Sequence, residues 1–269
     1  MRSHHTRALS FAVVILIGGV LTPSRLAVSG EQASSPYQWR GTVIQGGAIE
    51  IKGVNGAVKA SLATGAEVEV SAVLRGQRSN PADVRIDVVQ HGGGITICAV
   101  YPSPDSRPNE CQPGDGGRMN TRDNDVTVAF TVRVPPGVRF VGRTVNGDIG
   151  ADSLAGPVSL KTVNGEASFS TTAYGEASTV NGSIRGTLGS SHWTEALKFQ
   201  TVNGSITLDL PADASTEVRA TTVNGSISTD FPISVTGRVD PRNLTGTIGG
   251  GGRSMEVETV NGSVTLRRR

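Results

Sequence analysis

Little in this chain could build an aromatic core or a metal site. Aromatic residues are 4% of its 269 residues, there are two cysteines, and two of its four histidines fall within the first five positions. A core must therefore come from Val, Ile, Leu and Ala, which suits many short strands joined by tight turns better than a few large helices. Beyond the N-terminus no stretch of a dozen residues carries a 3.6-residue apolar period. Catalytic signatures are missing too: there is no Gly-x-Ser-x-Gly elbow, no His-Glu-x-x-His pair and no phosphate loop. His91 and His192 are far apart in sequence without ligand-like neighbours, and each reads as a surface or satisfied side chain. No cofactor and no metal is implied.

Long hydrophobic runs are equally scarce. The one example, Ala8 to Leu21, follows Arg2 and Arg7 and precedes the small-residue site Ala27-Val28-Ser29. That is the layout of an export signal, residues 1–29, cleaved near Ser29. Its 14 residues fall short of the roughly 20 that span a bilayer, so no transmembrane segment is expected in the mature chain. Basic charge is scarce once the signal is gone. Cleavage removes three of the 25 basic residues and none of the 23 acidic ones, leaving a net charge near −1. A nucleic-acid partner loses its support, because only the terminal Arg267-Arg268-Arg269 is strongly basic. Residues 30–38 form a polar lead-in.

Export permits a disulfide between Cys98 and Cys111, whose spacing and surroundings match no metal or redox motif. The bond would clip the Pro-, Gly- and Asp-rich loop Pro102–Asp125, contributing on the order of 3 kcal/mol through loop entropy. Around the loop, alternating runs read as strands at Glu67–Leu74, Val84–Val89, Ile95–Tyr101 and Val126–Val134. Asp115, Asp123 and Asp125 offer oxygens, yet their spacing matches no calcium loop, and a solvated loop is the expectation.

What the chain does have is a repeat. Val-Asn-Gly occurs seven times, as Asn55-Gly56, Asn146-Gly147, Asn164-Gly165, Asn181-Gly182, Asn203-Gly204, Asn224-Gly225 and Asn261-Gly262, and six copies read Thr-Val-Asn-Gly. From Asn146 the steps are 18, 17, 22, 21 and 37 residues, the last spanning a worn copy at Leu244–Ile248. Counting from each Asn, apolar residues recur at −6, −4, −1, +3 and +5, as in Leu197, Phe199, Val202, Ile206 and Leu208. Alternation within each arm indicates strands, and the change of parity before −1 predicts a bulge or bend near the Thr. A two-residue hairpin at Asn-Gly would set Val163 opposite Glu166, so a three-residue loop or a corner of a coil fits better. Each apolar side chain contributes about 1.5–3 kcal/mol on burial. Each ordered residue costs about 1–2 kcal/mol, so one twenty-residue rung cannot stand alone and must stack on its neighbours.

The expected fold is all-β: a strand-rich N-terminal part with the clipped loop over 39–140, then a repetitive, β-helix-like β-solenoid over 141–269. Stacked β-hairpins or a β-sandwich are the alternative. Gly262 is expected in the terminal rung. The asparagine column reads mainly as turn chemistry with stacked amides. A ligand-binding stripe is the sharper reading. The threonines Thr144, Thr162, Thr179, Thr201, Thr222 and Thr259 suggest a lattice-binding ladder, which the uneven rung lengths argue against.

The early Ile49-x-Ile51-x-x-Val54-Asn55-Gly56 unit, the strand ending Val132-Arg133-Val134-Pro135 and the serial Thr-Val-Asn-Gly units resemble an exported bacterial putative-adhesin family, a domain of unknown function, over roughly residues 39–266. The resemblance implies a repetitive all-β fold in the cell envelope and brings no catalytic residues. The functional expectation is an exported, periplasmic or surface, non-enzymatic, adhesin-like scaffold whose partner is a glycan or an envelope protein. An envelope-stress regulator is the runner-up. A polysaccharide-active enzyme is the rival class, and its only adjacent acids after the glycines are Asp148 and Glu166.

Overall fold

The computed structural model describes residues 32–33, 36–44, 46–234 and 240–269. The expected signal segment and much of the lead-in lie outside the described residues. In chain order the strands are β1 Gln32–Ala33, β2 Tyr37–Gly41, β3 Ala48–Lys52, β4 Val58–Leu62, β5 Val68–Gly76, β6 Arg85–His91, β7 Gly94–Val100, β8 Thr127–Val134, β9 Arg139–Arg143, β10 Ile149–Leu154 and β11 Val158–Lys161. They continue as β12 Ala167–Thr171, β13 Gly175–Ser178, β14 Ile184–Leu188, β15 Leu197–Asn203, β16 Ile206–Leu210, β17 Thr216–Asn224, β18 Ile227–Thr229, β19 Ile233–Ser234, β20 Asn243–Ile248, β21 Ser254–Asn261 and β22 Val264–Arg268. Among the described residues no helix is long and apolar enough to cross a membrane.

The strands form two sheets. One runs β1-β5-β8-β4-β10-β12-β14-β16-β22-β18, with β2 also on β5; the other runs β19-β20-β17-β21-β15-β13-β11-β9-β3-β7-β6. Each repeat sends one strand through the second sheet, turns at Val-Asn-Gly, and sends the next through the first. Neighbouring rungs pair in parallel, as in Ile149↔Ala167 and Val158↔Gly175. This is an all-β solenoid of two-strand rungs, and parallel pairing excludes stacked hairpins for the repeats. Both sheets continue across residues 140/141: β3 pairs β9 and β4 pairs β10, so the Asn55 unit is the first rung of the same stack. The four strands expected before the repeats appear as β5, β6, β7 and β8.

Alternation places one face of every rung strand inward. Ile149, Ile184, Ile206, Val264 and Leu266 from the first sheet meet Phe140, Leu160, Phe199 and Val257 from the second, all fully buried. The Phe169 and Phe199 rings stack with centroids 6.3 Å apart. With few aromatics available, glycine makes room for them: a Cβ on Gly186 would fall 2.7 Å from the Phe169 ring.

Three expectations are corrected. The parity of the second-sheet strands does not change at the threonine. Leu197, Phe199 and Thr201 all point inward while Val202 points out, and no bulge intervenes. A polar residue can hold that inner place because its hydroxyl finds a carbonyl there, as described below. Second, the rungs do not stack in chain order. β21 and β22 insert between β15/β16 and β17/β18, so Asn261 lies inside the stack and Asn224 at its end. Third, the worn copy forms β20, which runs antiparallel to β17 at the sheet margin and makes no rung. That return strand accounts for the long last step: the chain lays down the outer rung, comes back alongside it and fills the gap.

Candidate functional site

Two surfaces come out of this arrangement: the corner formed by the Val-Asn-Gly column, and the outer face of the first sheet. At the corner each asparagine amide after Asn55 donates to the asparagine of the rung before it. Asn146 donates to Asn55, Asn164 to Asn146, Asn181 to Asn164, Asn203 to Asn181, Asn261 to Asn203 and Asn224 to Asn261, each at 2.8 Å. The glycines beside them are required by contact. A Cβ on Gly147, Gly165, Gly182, Gly204, Gly262 or Gly225 would sit 1.9–2.2 Å from the carbonyl oxygen of the glycine one rung below. Gly56 has the same problem against the Val128 carbonyl, at 2.3 Å. Only Gly56, Gly147 and Gly262 have clearly positive φ, so close approach, more than turn geometry, sets the residue type.

The threonines complete the latch. Thr162, Thr179, Thr201, Thr259 and Thr222 donate to the carbonyls of Gly147, Gly165, Gly182, Gly204 and Gly262 at 2.8–2.9 Å. Thr144 does the same for Val54 and Gly56 at 3.2 Å. All six are buried, so they present no ladder to solvent. The residues that do face solvent are Val145, Val163, Val180, Val202, Val260 and Val223, at 37–54% exposure.

The loop near the first rung is fixed by covalent and ionic ties. Cys98 and Cys111 are bonded. The Lys52 ammonium donates to the carbonyls of Gln112, Gly114 and Gly116 at 2.8–2.9 Å, and its pKa is lowered, first by burial. Buried Glu50 accepts from Thr96 and from the Gly114 amide at 2.9 Å and pairs with Arg143 at 2.8 Å. Arg143 also holds Asp115. Asp125 accepts the backbone N–H groups of Ser79 and Arg78, which hold its carboxyl down at about 2. Asp115 and Asp125 thus serve as anchors for protein donors, and Asp123 is a turn residue at φ 52°. Tyr101, pushed up to about 12 by burial, donates to the Val126 carbonyl at 2.9 Å beneath the loop. His91 lies within 3.2 Å of the Thr96 hydroxyl, the His192 carbonyl accepts from Ser190, and among the described residues no three His, Cys, Asp or Glu side chains gather as a metal site would need.

The outer face of the first sheet carries a groove of about 830 Å³, lined by residues from β8 and successive rungs. Its central column follows the register Lys59↔Gly150↔Ser168↔Arg185↔Thr207, so two long cations bracket two minimal side chains. Asp148 and Glu166 stand on the corner side, Asp152 and Asp209 on the other. Asp148 accepts the Glu166 backbone N–H at 2.8 Å, and Glu166 pairs with Arg185 at 3.0 Å. Both acids singled out from the sequence are therefore engaged already. At Ser153 the register slips, with φ 53°, and Asp152 accepts from Ser170 at 3.0 Å on the groove margin. The sequence reading passed over Gly150, Lys59 and Arg185. Aligning the repeats at +4 from each Asn gives Lys59, Gly150, Ser168, Arg185 and Thr207, and the lone glycine was the available signal.

With this geometry in place, the comparisons are informative about the repeats. Residues 139–267 match the Toastrack DUF4097 family model. That region covers the rungs from Asn146 onward, and its long parallel sheets are the solenoid just described. No curated protein matches the chain. Among solved structures, the chain is similar to a putative cell adhesion protein from Clostridium sporogenes, at 13% identity over 87% of this chain and 100% of that one, with a TM-score of 0.43. A putative adhesin from Bacteroides fragilis gives 12% identity, coverage of 87% and 97%, and a TM-score of 0.25. A protein from Parabacteroides distasonis described as a putative lipid binding protein gives 11%, 87%, 96% and 0.27.

Proposed function

We propose that this is an exported, non-catalytic, adhesin-like scaffold of the cell envelope, which holds an external partner on the outer face of its solenoid. The observation that carries this reading is the latched stack itself. Seven rungs are tied by amide, hydroxyl and carbonyl contacts into one stack, and a stack of that kind presents an extended binding surface. The intramolecular disulfide fits an oxidising compartment outside the cytosol. The acids of the groove support a binding role over an acid–base one, since Asp148 and Glu166 are held by an amide and an arginine.

Fractionation of the producing cell, followed by incubation of the purified chain with its envelope fraction, tests the proposal. The expected result is recovery outside the cytosol and saturable retention on envelope material without release of new reducing ends. Cytosolic recovery, or hydrolysis of a glycan, would overturn it.

A further inference from the structure

Gly150 is the second residue of β10, faces outward, and has no steric need to be glycine. The nearest heavy atom to a Cβ built there is the Ser168 hydroxyl oxygen, at 3.8 Å. Its backbone is not left-handed. A glycine inside a strand weakens the strand, and one often marks a bulge, a bend or a place where a ligand or another backbone comes close; the bulge in this strand lies beyond Ala151, and Gly150 itself keeps regular register with Lys59 and Ser168. Here no other backbone comes close. What the missing side chain makes is the floor of the 830 Å³ groove, continued by Ser168. Lys59 and Arg185 close the floor at either end, about 14 Å apart at the usual strand spacing of ~4.8 Å. Lys59 makes no ion pair among the described residues, so its ammonium is available to a ligand. Asp148 and Asp152 flank the floor, and the register slip at Ser153 sets the turn of the Asp152 rim.

We infer that this groove is a binding site for a neutral, hydroxyl-rich glycan strand lying across the rungs; the inference rests on the adhesin-like reading above and names its ligand class. The chemistry selects among partners. Acids and bases alternate within one groove, which disfavours a polyanion or polycation. The large apolar side chains beneath the groove, Phe169 and Ile149, are buried in the core, so an apolar ligand would meet little of them and would have to cover the surrounding charges. A polyol can use both signs at once, its hydroxyls donating to Asp148 and Asp152 and accepting from Lys59.

The test is a printed array of neutral and acidic oligosaccharides probed with the full exported chain, followed by titration of the best neutral ligand. Native protein should bind neutral oligosaccharides, with affinity that changes little at high salt, since uncharged ligands release no counterions. Gly150→Gln fills the floor and should weaken binding by about tenfold or more, because a clash replaces a contact. Lys59→Ala should weaken it less. Val202→Ser, on the corner, should leave it unchanged. Each variant is melted first; the open space around Gly150 predicts unchanged melting for Gly150→Gln. Binding equal to native in Gly150→Gln would overturn the site. Binding of acidic sugars alone, lost at high salt, would overturn the ligand class. If the native chain is retained on envelope material but binds no oligosaccharide, the glycan assignment falls while the adhesin-like reading stands. If it is retained on neither, both fall.

Discussion

Gly147 and Gly150 stand three residues apart on one rung, and different demands hold them in place. At Gly147 the neighbouring rung leaves no volume for a side chain: a Cβ would lie 2.2 Å from the Gly56 carbonyl oxygen. At Gly150 nothing lies closer than 3.8 Å. The corner thus uses glycine to bring rungs together, and the groove has glycine where the rungs do not need it. Composition alone cannot separate these uses, because both read as Gly in a β-rich repeat. The space around each Cβ does, and it turns the contrast into a series of measurements.

The largest effect belongs to the corner. Gly204→Val forces a β-branched side chain toward the Gly182 carbonyl, 2.0 Å from where its Cβ would stand. Because backbone cannot yield as a flexible side chain would, destabilisation of about 3 kcal/mol is expected in denaturant melts. Gly262→Val should cost as much, since its rung is interior. Gly225→Val should cost less, about 1 kcal/mol, because the short end strand β18 can peel away at little cost. Equal losses at Gly225 and Gly204 would contradict the spatial rung order.

Next comes the clip on the first rung. Cys98→Ser with Cys111→Ser removes a bond across a sequence separation of 13 residues, worth about 3 kcal/mol or somewhat less by the chain-entropy estimate. Lys52 and Glu50 still hold the loop, which should keep the loss below that of the corner variants. Proteolysis within 102–125 that stays as slow as in the native protein would show that the ion network alone suffices.

These two regions also show what was readable beforehand. The period, the short strands and the bonded cysteines are local facts, written in spacing and residue type, and the two-sheet solenoid follows from them. Rung order is not local. Nothing in Leu244–Ile248 says that its strand runs antiparallel to β17, because that pairing is set by where the rest of the sheet leaves an edge. The bend expected near Thr201 is absent for a related reason: counting Val202 as core required it, and only the Gly182 carbonyl at 2.8 Å explains why Thr201 holds the inner place instead. In the groove, Lys59, Gly150 and Arg185 come from three separate units. Only the lateral register brings them together, so the site could not be seen in any one repeat.

Asn203→Asp probes the corner more gently. The native amide donates to Asn181 and accepts from Asn261. An ionised carboxylate can still accept but leaves two acceptors facing each other, so about 1 kcal/mol should be lost at neutral pH. Protonated, the introduced carboxyl can donate again. Its folded pKa is therefore raised above the unfolded value, so its stability is complete below the usual aspartate range and falls as pH rises through the folded pKa. Melting temperatures that rise with pH over that window, relative to native, would contradict an amide ladder.

Asp125 should behave in the opposite sense. Its pKa falls from 3.8 to about 2, first through the Ser79 backbone N–H. A depressed folded pKa contributes stability above about 4 that is lost as pH falls toward 2. Asp125→Asn should flatten the acid limb of the melting curve between those values by lowering stability at neutral pH, with variant and native protein converging as pH falls toward 2. Identical acid limbs in variant and native protein would show that other carboxyls dominate acid unfolding.

The smallest effect is expected at Gly150, and there its smallness is the evidence. Alanine fits the space, its backbone geometry is ordinary, and the unfolded chain loses entropy when glycine is replaced. Gly150→Ala should therefore be neutral or stabilising by up to about 0.5 kcal/mol. Gly147→Ala, on the same rung, should destabilise by about 2 kcal/mol through its clash with the Gly56 carbonyl. Paired denaturant melts of these two variants measure the contrast directly. If Gly150→Ala lost as much as Gly147→Ala, the fold would need glycine at both positions and the groove would lose its claim as a place kept open for a ligand. If only Gly147→Ala is costly, a residue that slightly weakens its own strand remains in the groove for a reason outside the fold, and binding is the reason the surrounding charges support.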